Sequence, residues 1–130
     1  MITHLVDTDW LVDCLNEKNS ARDVLRPLVE AGRVATSVIV IAELHEGLLG
    51  DRDPDRKRLV LEDLLAGIPV IGLAEATARQ FAKLRFNLRS TGQMINDHDI
   101  WIAATALEHS LILVSRDKHF ERISELKRNE

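Results

Sequence analysis

Four acidic residues stand at positions where carboxylates can act together on a ligand. Asp7 directly follows a short apolar segment, and Asp117 comes three residues after another one, which ends at Val114. Glu43 lies inside a predicted helix, and Asp99 lies near the start of a later one. Carboxylates that converge raise each other's pKa unless a cation neutralises them. If the fold gathers these acids, they predict a divalent-metal site.

The residue types indicate which metal such a site would hold. Hard oxygen ligands without nearby Cys residues or paired His residues favour Mg²⁺ or Mn²⁺ over Zn²⁺. Such an ion activates a water and clamps phosphate oxygens for an in-line displacement. A purely structural role stays open, because the chain has 21 Asp and Glu residues and because Asp7 and Asp99 can both cap helices.

Short apolar segments alternate with helical patterns along the chain, which is typical of a parallel sheet covered on both faces. We predict strands over 2–6, 34–36, 69–72 and 111–114. We predict helices over 10–15, 21–31, 38–49, 54–66, 74–90, 97–109 and 119–123, with a polar break at 16–20. The predicted fold is therefore α/β, one domain over residues 1–130 with a short parallel sheet between two layers of helices. Ligands bind beyond the carboxyl ends of such strands, so we expect the acids at one edge.

Two segments allow more than one structure. Val38 to Ile41 are β-branched and favour a strand by propensity, but Ser37 is a good helix N-cap. We therefore predict that the second strand ends at Thr36 and that a helix begins near Val38. The charged segment from Ser124 onward is expected either to form an edge strand or to fray.

The composition is that of a globular protein, and it bears on the partners and the cellular compartment that we expect. Hydrophobic residues make up 45% of the chain, and the formal net charge is −4. That charge argues mildly against a nucleic-acid partner, but cations in an acidic pocket reverse the local field. No apolar run approaches the roughly 20 residues that span a membrane, and the first residues do not resemble a signal peptide. The single Cys14 indicates a reducing compartment, the cytoplasm.

Several segments resemble those of PIN domains, and in particular those of VapC toxins. They occur in family order over nearly the whole chain, at 5–11 (LVDTDWL), 37 with 42–47 (AELHEG), 85–92 (RFNLRSTG), 99–107 (DIWIAATAL) and 113–123 (LVSRDKHFERI). The Asp-Thr-Asp of the first segment is by itself weak evidence for the family. The segment at Asp99 followed by the one with Asp117 is much more specific evidence. The chain therefore resembles a PIN domain over nearly its full length.

The resemblance implies a metal-dependent endoribonuclease that is usually a homodimer and is silenced by a VapB-type antitoxin whose tail fills the active site. It implies that Asp7 and Asp99 are the principal ligands of Mg²⁺, or of Mn²⁺. Glu43 and Asp117 would complete the pocket, although many relatives carry Asn in place of Asp117. The family pattern favours Asp99 over Asp97 as the ligand, and Asp97 is expected to cap the helix instead.

The resemblance also implies roles for polar neighbours of the acids. Thr8 and Ser115 would orient carboxylates or waters through their hydroxyls. Apart from the resemblance, Arg116 and Lys118 flank Asp117, and this position predicts that Arg116 contacts the RNA backbone. The five His residues are expected to have ordinary structural or surface roles, with His98, between two acids, as the best exception. The implied reaction is attack by a metal-activated water on a phosphodiester, which leaves 5′-phosphate and 3′-hydroxyl ends.

Two other functions stay open on the sequence alone. Asp7 and Asp9 after a strand also suit a phosphatase with an aspartyl nucleophile, although such enzymes need a Lys that holds the phosphate, and no Lys here is a convincing candidate. The other possibility is a catalytically inactive PIN-like module that binds RNA or a partner. A chromogenic phosphate ester and an RNA-cleavage assay with added divalent metal distinguish the three functions.

Overall fold

A five-stranded, fully parallel sheet forms the centre of the molecule, in a computed structural model that describes residues 1–16 and 19–129. The strands are β1 (His4–Val6), β2 (Val34–Ser37), β3 (Val70–Ile71), β4 (Ile112–Val114) and β5 (Arg128–Asn129). Their order across the sheet is β3-β2-β1-β4-β5. The predicted parallel sheet is confirmed.

Helices connect the strands in the described part of the chain. They are α1 (Thr8–Leu15), α2 (Asn19–Glu30), α3 (Val38–Leu49), α4 (Pro54–Leu65), α5 (Glu75–Ser90) and α6 (Asp97–Glu108), with a 3₁₀ helix at Lys118–Arg122. The predicted polar break at 16–20 lies partly outside the described residues, since residues 17 and 18 are not among them. No helix in the described ranges combines the length and the apolar character needed to cross a membrane.

The strand order changes direction at β1, which has β2 on one side and β4 on the other. Right-handed crossovers in the two directions place the connecting helices on opposite faces of the sheet. In agreement with this, α5 packs against α6, whereas α1 packs against α2, α3 and α4. The carboxyl ends of β1 and β4 flank the point of reversal, where parallel sheets bind their ligands.

The second strand ends at Ser37, one residue later than predicted, and α3 begins at Val38 as predicted. The Ser37 hydroxyl accepts a hydrogen bond from the backbone N–H of Ile39 at 3.0 Å, which caps α3. Because this cap satisfies a free N–H at the helix start, it outweighs the strand propensity of the β-branched residues that follow. Within α3, Val40 is fully buried and Val38 is 39% exposed, as an amphipathic helix requires.

The core lies around the two central strands and α6. Leu5 pairs in register with Leu113, and both are fully buried. Six residues of α6 are also fully buried, namely Ile100, Ile102, Ala103, Ala104, Thr105 and Ala106. Burial on this scale holds the first turn of α6 rigidly against the sheet, so the acids on that turn have a defined position.

The end of the chain forms an edge strand, the first of its two predicted alternatives. β5 pairs in parallel with β4, and the Leu113 N–H donates to the carbonyl of Lys127 at 2.8 Å. Arg128 donates from Nη2 to the backbone carbonyls of Ser115 and Asp117, at 3.4 and 3.1 Å. The last strand therefore supports the loop that carries Asp117.

Candidate active site

A cleft of about 370 Å³ opens at the carboxyl ends of β1 and β4. The strands are tied together there, because the Asp7 N–H donates to the carbonyl of Val114 at 3.0 Å. The cleft is lined by Asp7, Thr8, Asp9, Val12, Asp13, Glu43, Asp99 and Asp117. All four acids that the sequence singles out therefore meet in one place, although they come from four separate segments of the chain.

Asp7 lies at the floor of this cleft and is only 6% exposed. Its Oδ1 accepts from the Thr8 N–H at 2.8 Å, which caps α1, and its Oδ2 accepts from the Ser115 hydroxyl at 2.7 Å. Burial raises the pKa of Asp7 to about 6, against the effect of these hydrogen bonds and with a smaller contribution from the Asp9 and Asp99 charges. Asp7 is thus both a helix cap and a strained carboxylate that a nearby cation would relieve.

Glu43 reaches the cleft from α3. Burial raises its pKa, while the His98 charge and the Thr8 hydroxyl lower it. Within the described residues, neither the buried Oε1 of Glu43 nor the buried hydroxyl of Thr8 has a hydrogen bond of good geometry. Buried polar atoms are rarely left without a partner, so these two oxygens are unsatisfied groups that a cation or a water in the cleft would stabilise.

Asp99 and Asp117 face each other across the mouth of the cleft. Burial and the Asp117 charge raise the pKa of Asp99, and the His119 and His98 side chains oppose that rise. His119 Nδ1 lies 3.3 Å from Oδ1 of Asp117 and 3.7 Å from Oδ2 of Asp99. In the described part of the chain, these three residues are the set of metal-ligating side chains whose donor atoms all lie within 4.8 Å of one another, and Asp7 and Glu43 line the same cleft outside that set.

His119 lies at the site, although its sequence context predicted a structural or surface role. The sequence does contain one signal for this position, because His119 follows Asp117 by two residues. Asp117 caps the 3₁₀ helix by accepting from the backbone N–H of His119 at 2.9 Å. Such a tight turn brings a side chain two residues after an acid back beside it.

The loop after β4 links the acids to each other. Ser115 is fully buried, donates to Asp7 and accepts from the Asp117 N–H at 3.1 Å. The Arg116 N–H donates to Asp9 at 3.0 Å, and its guanidinium pairs with Asp13 and lies 4.8 Å from the centroid of the Trp10 ring. Ser115 therefore sits at the centre of the site, whereas the Arg116 side chain lies on the rim.

Asp97 does not cap α6, and that prediction is wrong. The cap is Asn96, whose side chain accepts from the backbone N–H of His98 at 2.7 Å. Asp97 instead pairs with Arg85, with Oδ1 3.1 Å from Nε. Because a cap must precede the first helical turn, Asn96 takes this role, and Asp97 is left on the exposed side of the helix.

The donor set suits a hard divalent cation. Carboxylate oxygens dominate it, one of them is buried without a hydrogen bond, and burial raises the pKa of three of the four acids. A divalent charge in the cleft would offset both the burial and the mutual repulsion of these groups. Mg²⁺ and Mn²⁺ prefer such oxygen-rich sites.

Comparison with known proteins agrees with this architecture. A sequence model of the PIN domain matches residues 4–126. Ribonuclease VapC2 of Haemophilus influenzae is 30% identical over 129 residues, which cover 98% of this chain and 96% of that protein. Ribonuclease VapC5 of Mycobacterium tuberculosis is 33% identical over 90 residues, 68% of this chain and 67% of that protein.

A solved structure is similar over nearly the whole chain. It is VapBC2 of Rickettsia felis bound to a DNA fragment from its promoter, with a TM-score of 0.91, 25% identity and 98% of both chains covered. A second, DNA-bound VapBC of Salmonella typhimurium, has the same fold at a TM-score of 0.92 and 23% identity, with 99% of this chain and 98% of that one covered. The chain belongs to the PIN-domain family and, within it, to the VapC-type proteins.

Proposed function

We propose that this protein is a metal-dependent endoribonuclease, the toxin of a VapBC-type toxin–antitoxin pair. The observation that carries the proposal is the meeting of Asp7, Glu43, Asp99 and Asp117 in one cleft at the carboxyl edge of the sheet. The reaction class is supported by relatives named Ribonuclease VapC that match nearly the whole chain. The proposed substrate is RNA, cut to leave 5′-phosphate and 3′-hydroxyl ends.

Asp7 and Asp99 are the proposed principal ligands of Mg²⁺ or Mn²⁺, with Glu43 and Asp117 completing the pocket. When bound, the ion would supply positive charge that stabilises the developing charge on the phosphate and lowers the pKa of a water, so that the water can lose a proton and attack the phosphorus atom. The Thr8 backbone N–H and the Ser115 hydroxyl hold the Asp7 carboxylate in one orientation, so Thr8 contacts Asp7 through its backbone and not through the hydroxyl of the prediction. The free oxygen of Glu43 is suited to accept a hydrogen bond from the attacking water.

Arg116 is the proposed contact for the RNA backbone. Its side chain is about half exposed and stands on the rim of the cleft, between the Trp10 ring and Asp13. An Arg that already rests on an aromatic ring loses little conformational freedom when it meets a phosphate. A bound phosphate would have to compete with Asp13 for the guanidinium.

The proposed function also implies two protein partners. The proposed partners are a VapB-type antitoxin, which would block the cleft, and a second copy of the chain in a homodimer. Several of the solved structures similar to this chain are themselves VapBC complexes, which supports the antitoxin. We also propose that residues 1–130 form a single PIN domain and that the protein acts in the cytoplasm.

The aspartyl-phosphatase alternative is less well supported. A phosphatase with an aspartyl nucleophile needs a cationic Lys that holds the phosphate beside the attacking carboxylate. Among the described residues that line the cleft around Asp7 and Asp9, none is a Lys. The cleft therefore lacks the group that would hold a phosphate for attack by either carboxylate.

RNA cleavage by the purified protein is expected to require a divalent metal. End-labelled RNA should be cut with Mg²⁺ or Mn²⁺, left intact in excess EDTA, and cut again when metal is added back, because the acids repel each other and the phosphate without a cation. Gel analysis of the products, with a chromogenic phosphate ester in parallel, measures this. Undiminished RNA cleavage in EDTA, or turnover of the ester without cleavage of RNA, would reject the proposal.

A further inference from the structure

His119 stands at the mouth of the acid cleft with its ring directed at two carboxylates. We propose, on the basis of the function proposed above, that His119 supplies a nitrogen ligand to the metal site and that this ligand shifts the preference of the site from Mg²⁺ toward Mn²⁺. The proposal rests on the triad formed by Asp99, Asp117 and His119, whose donor atoms all lie within 4.8 Å of one another.

The distances within this triad suit ligands of one ion. Two ligands about 2.1 Å from a six-coordinate ion lie about 3.0 Å apart when they are adjacent and about 4.2 Å apart when they are opposite. The Nδ1 atom of His119 lies 3.3 Å from the Asp117 oxygen and 3.7 Å from the Asp99 oxygen. Both separations fall inside that interval, and the Asp99 and Asp117 oxygens lie within 4.8 Å of each other, so a small movement of one carboxylate allows the three groups to share one ion.

The backbone around His119 is held in place before any ion binds. Its N–H donates to Asp117, and the next residue, Phe120, is fully buried. On the other side, Arg128 donates to the carbonyl of Asp117 at 3.1 Å. The side chain of His119 is itself 54% exposed, so it is accessible to an ion that enters from solvent.

A nitrogen ligand changes which ion the site prefers. Mg²⁺ takes oxygen ligands almost exclusively, whereas Mn²⁺ also favours oxygen but, as the first member of the transition-metal series in which affinity for nitrogen donors rises, accepts an imidazole nitrogen more readily than Mg²⁺ does. An exclusively electrostatic effect of the His119 ring would instead alter the binding of all divalent ions by the same factor. The ratio of Mn²⁺ to Mg²⁺ affinity therefore separates a ligand from a neighbouring charge.

His98 provides a matched control. Its charge acts on Glu43 and Asp99, so it belongs to the same electrostatic environment, but it is not a member of the triad. It is exposed on the first turn of α6, so its replacement leaves the core unchanged. A His98→Ala variant removes an imidazole beside the same acids without removing the proposed ligand.

The test is pulsed EPR on Mn²⁺ bound to the whole chain, with Mn²⁺ and Mg²⁺ affinities measured by titration. We expect ¹⁴N couplings from a coordinated imidazole in the wild-type protein and in His98→Ala, and none in His119→Ala. We also expect His119→Ala to weaken Mn²⁺ binding by at least about tenfold and Mg²⁺ binding by less than about threefold. The wild-type spectrum tests the proposal even without a variant.

The outcomes separate this proposal from the proposed function. Bound Mn²⁺ without ¹⁴N coupling, or equal losses of Mn²⁺ and Mg²⁺ affinity in His119→Ala, would overturn the ligand role of His119 and leave the nuclease proposal intact. A wild-type protein that neither binds Mn²⁺ nor cuts RNA would overturn both. Loss of the coupling in His119→Ala alone, with Mn²⁺ binding weakened selectively, supports the assignment.

Discussion

The Asp99→Asn protein is expected to lose RNA cleavage by about 10³-fold or more while it remains folded. Asp99 is placed in the cleft by the buried helix α6, and its pKa is raised by burial and by the Asp117 charge. An amide of the same size removes one of the charges that attract a cation, although the shape of the site is preserved. The measurement is the single-turnover cleavage rate at saturating Mg²⁺ or Mn²⁺, with circular dichroism to check folding.

Asp97→Asn is the matched control for this variant. Asp97 lies two residues earlier on the same helical turn, but it pairs with Arg85 and does not line the cleft. Its replacement should change the cleavage rate by less than about threefold, since an exposed ion pair contributes little. Full activity in Asp99→Asn, or an equal loss in both variants, would remove Asp99 from the proposed site.

The metal-free Asp7→Asn protein is expected to be more stable than the metal-free wild type at neutral pH. The pKa of Asp7 is about 6 in the folded chain, against an ordinary value of 3.8. The folded state therefore binds this proton more tightly than the unfolded state, so wild-type stability falls as pH rises from about 4 to about 6 and then levels off. Two pKa units correspond to about 3 kcal/mol of unfolding free energy, as an upper estimate.

Urea unfolding in EDTA at pH 4 and pH 7.5 measures this effect. Asn keeps a side-chain oxygen that can cap α1, so Asp7→Asn should be more stable than the wild type at pH 7.5, with a smaller difference at pH 4. Asp53→Asn is the control, because Asp53 also caps a helix, through the Arg56 N–H at 3.3 Å, but is exposed. An Asp7→Asn protein that is less stable than the wild type at pH 7.5 would contradict the electrostatic strain inferred at Asp7.

Addition of metal should reverse the order. An ion that binds only the folded state at one thousand times its Kd stabilises it by about 4.1 kcal/mol, which exceeds the deficit of about 3 kcal/mol in the metal-free wild type. The wild type should gain this stability, whereas Asp7→Asn should gain little, because it lacks the ionised carboxylate. Asp7 would then lower the unfolding free energy of the metal-free protein and raise that of the metal-bound protein.

Most of the fold could be predicted because its strands are short and almost wholly apolar. Segments such as 2–6 and 111–114 must lie inside a sheet covered on both faces, and parallel strands direct their carboxyl ends to a common edge. That geometry places Asp7 and Asp117 at the same edge, and the pairing of β1 with β4 brings them together. After β2, the β-branched residues 38–41 favour a strand by propensity, but they form the first turn of α3 because the Ser37 side chain caps that helix.

The remaining features depend on tertiary contacts that no local pattern contains. β5 is only two residues long, and it forms because β4 offers a free edge, not because Arg128 and Asn129 favour a strand. His119 joins Asp99 because α6 and the loop after β4 pack together across the cleft. The sequence shows that His119 follows Asp117 by two residues, which predicts that they lie side by side. It contains no local pattern that predicts the contact of Asp99 with this pair.

The most direct test is the position of a bound ion. A crystal of the protein soaked in Mn²⁺ and measured at the manganese absorption edge would locate that ion without reference to activity. We expect an anomalous peak in the cleft, about 2.2 Å from carboxylate oxygens of Asp99 and Asp7. A fully occupied manganese ion elsewhere on the molecule, with an empty cleft between residues 7, 43, 99 and 117, would contradict the central claim that these acids form one metal site.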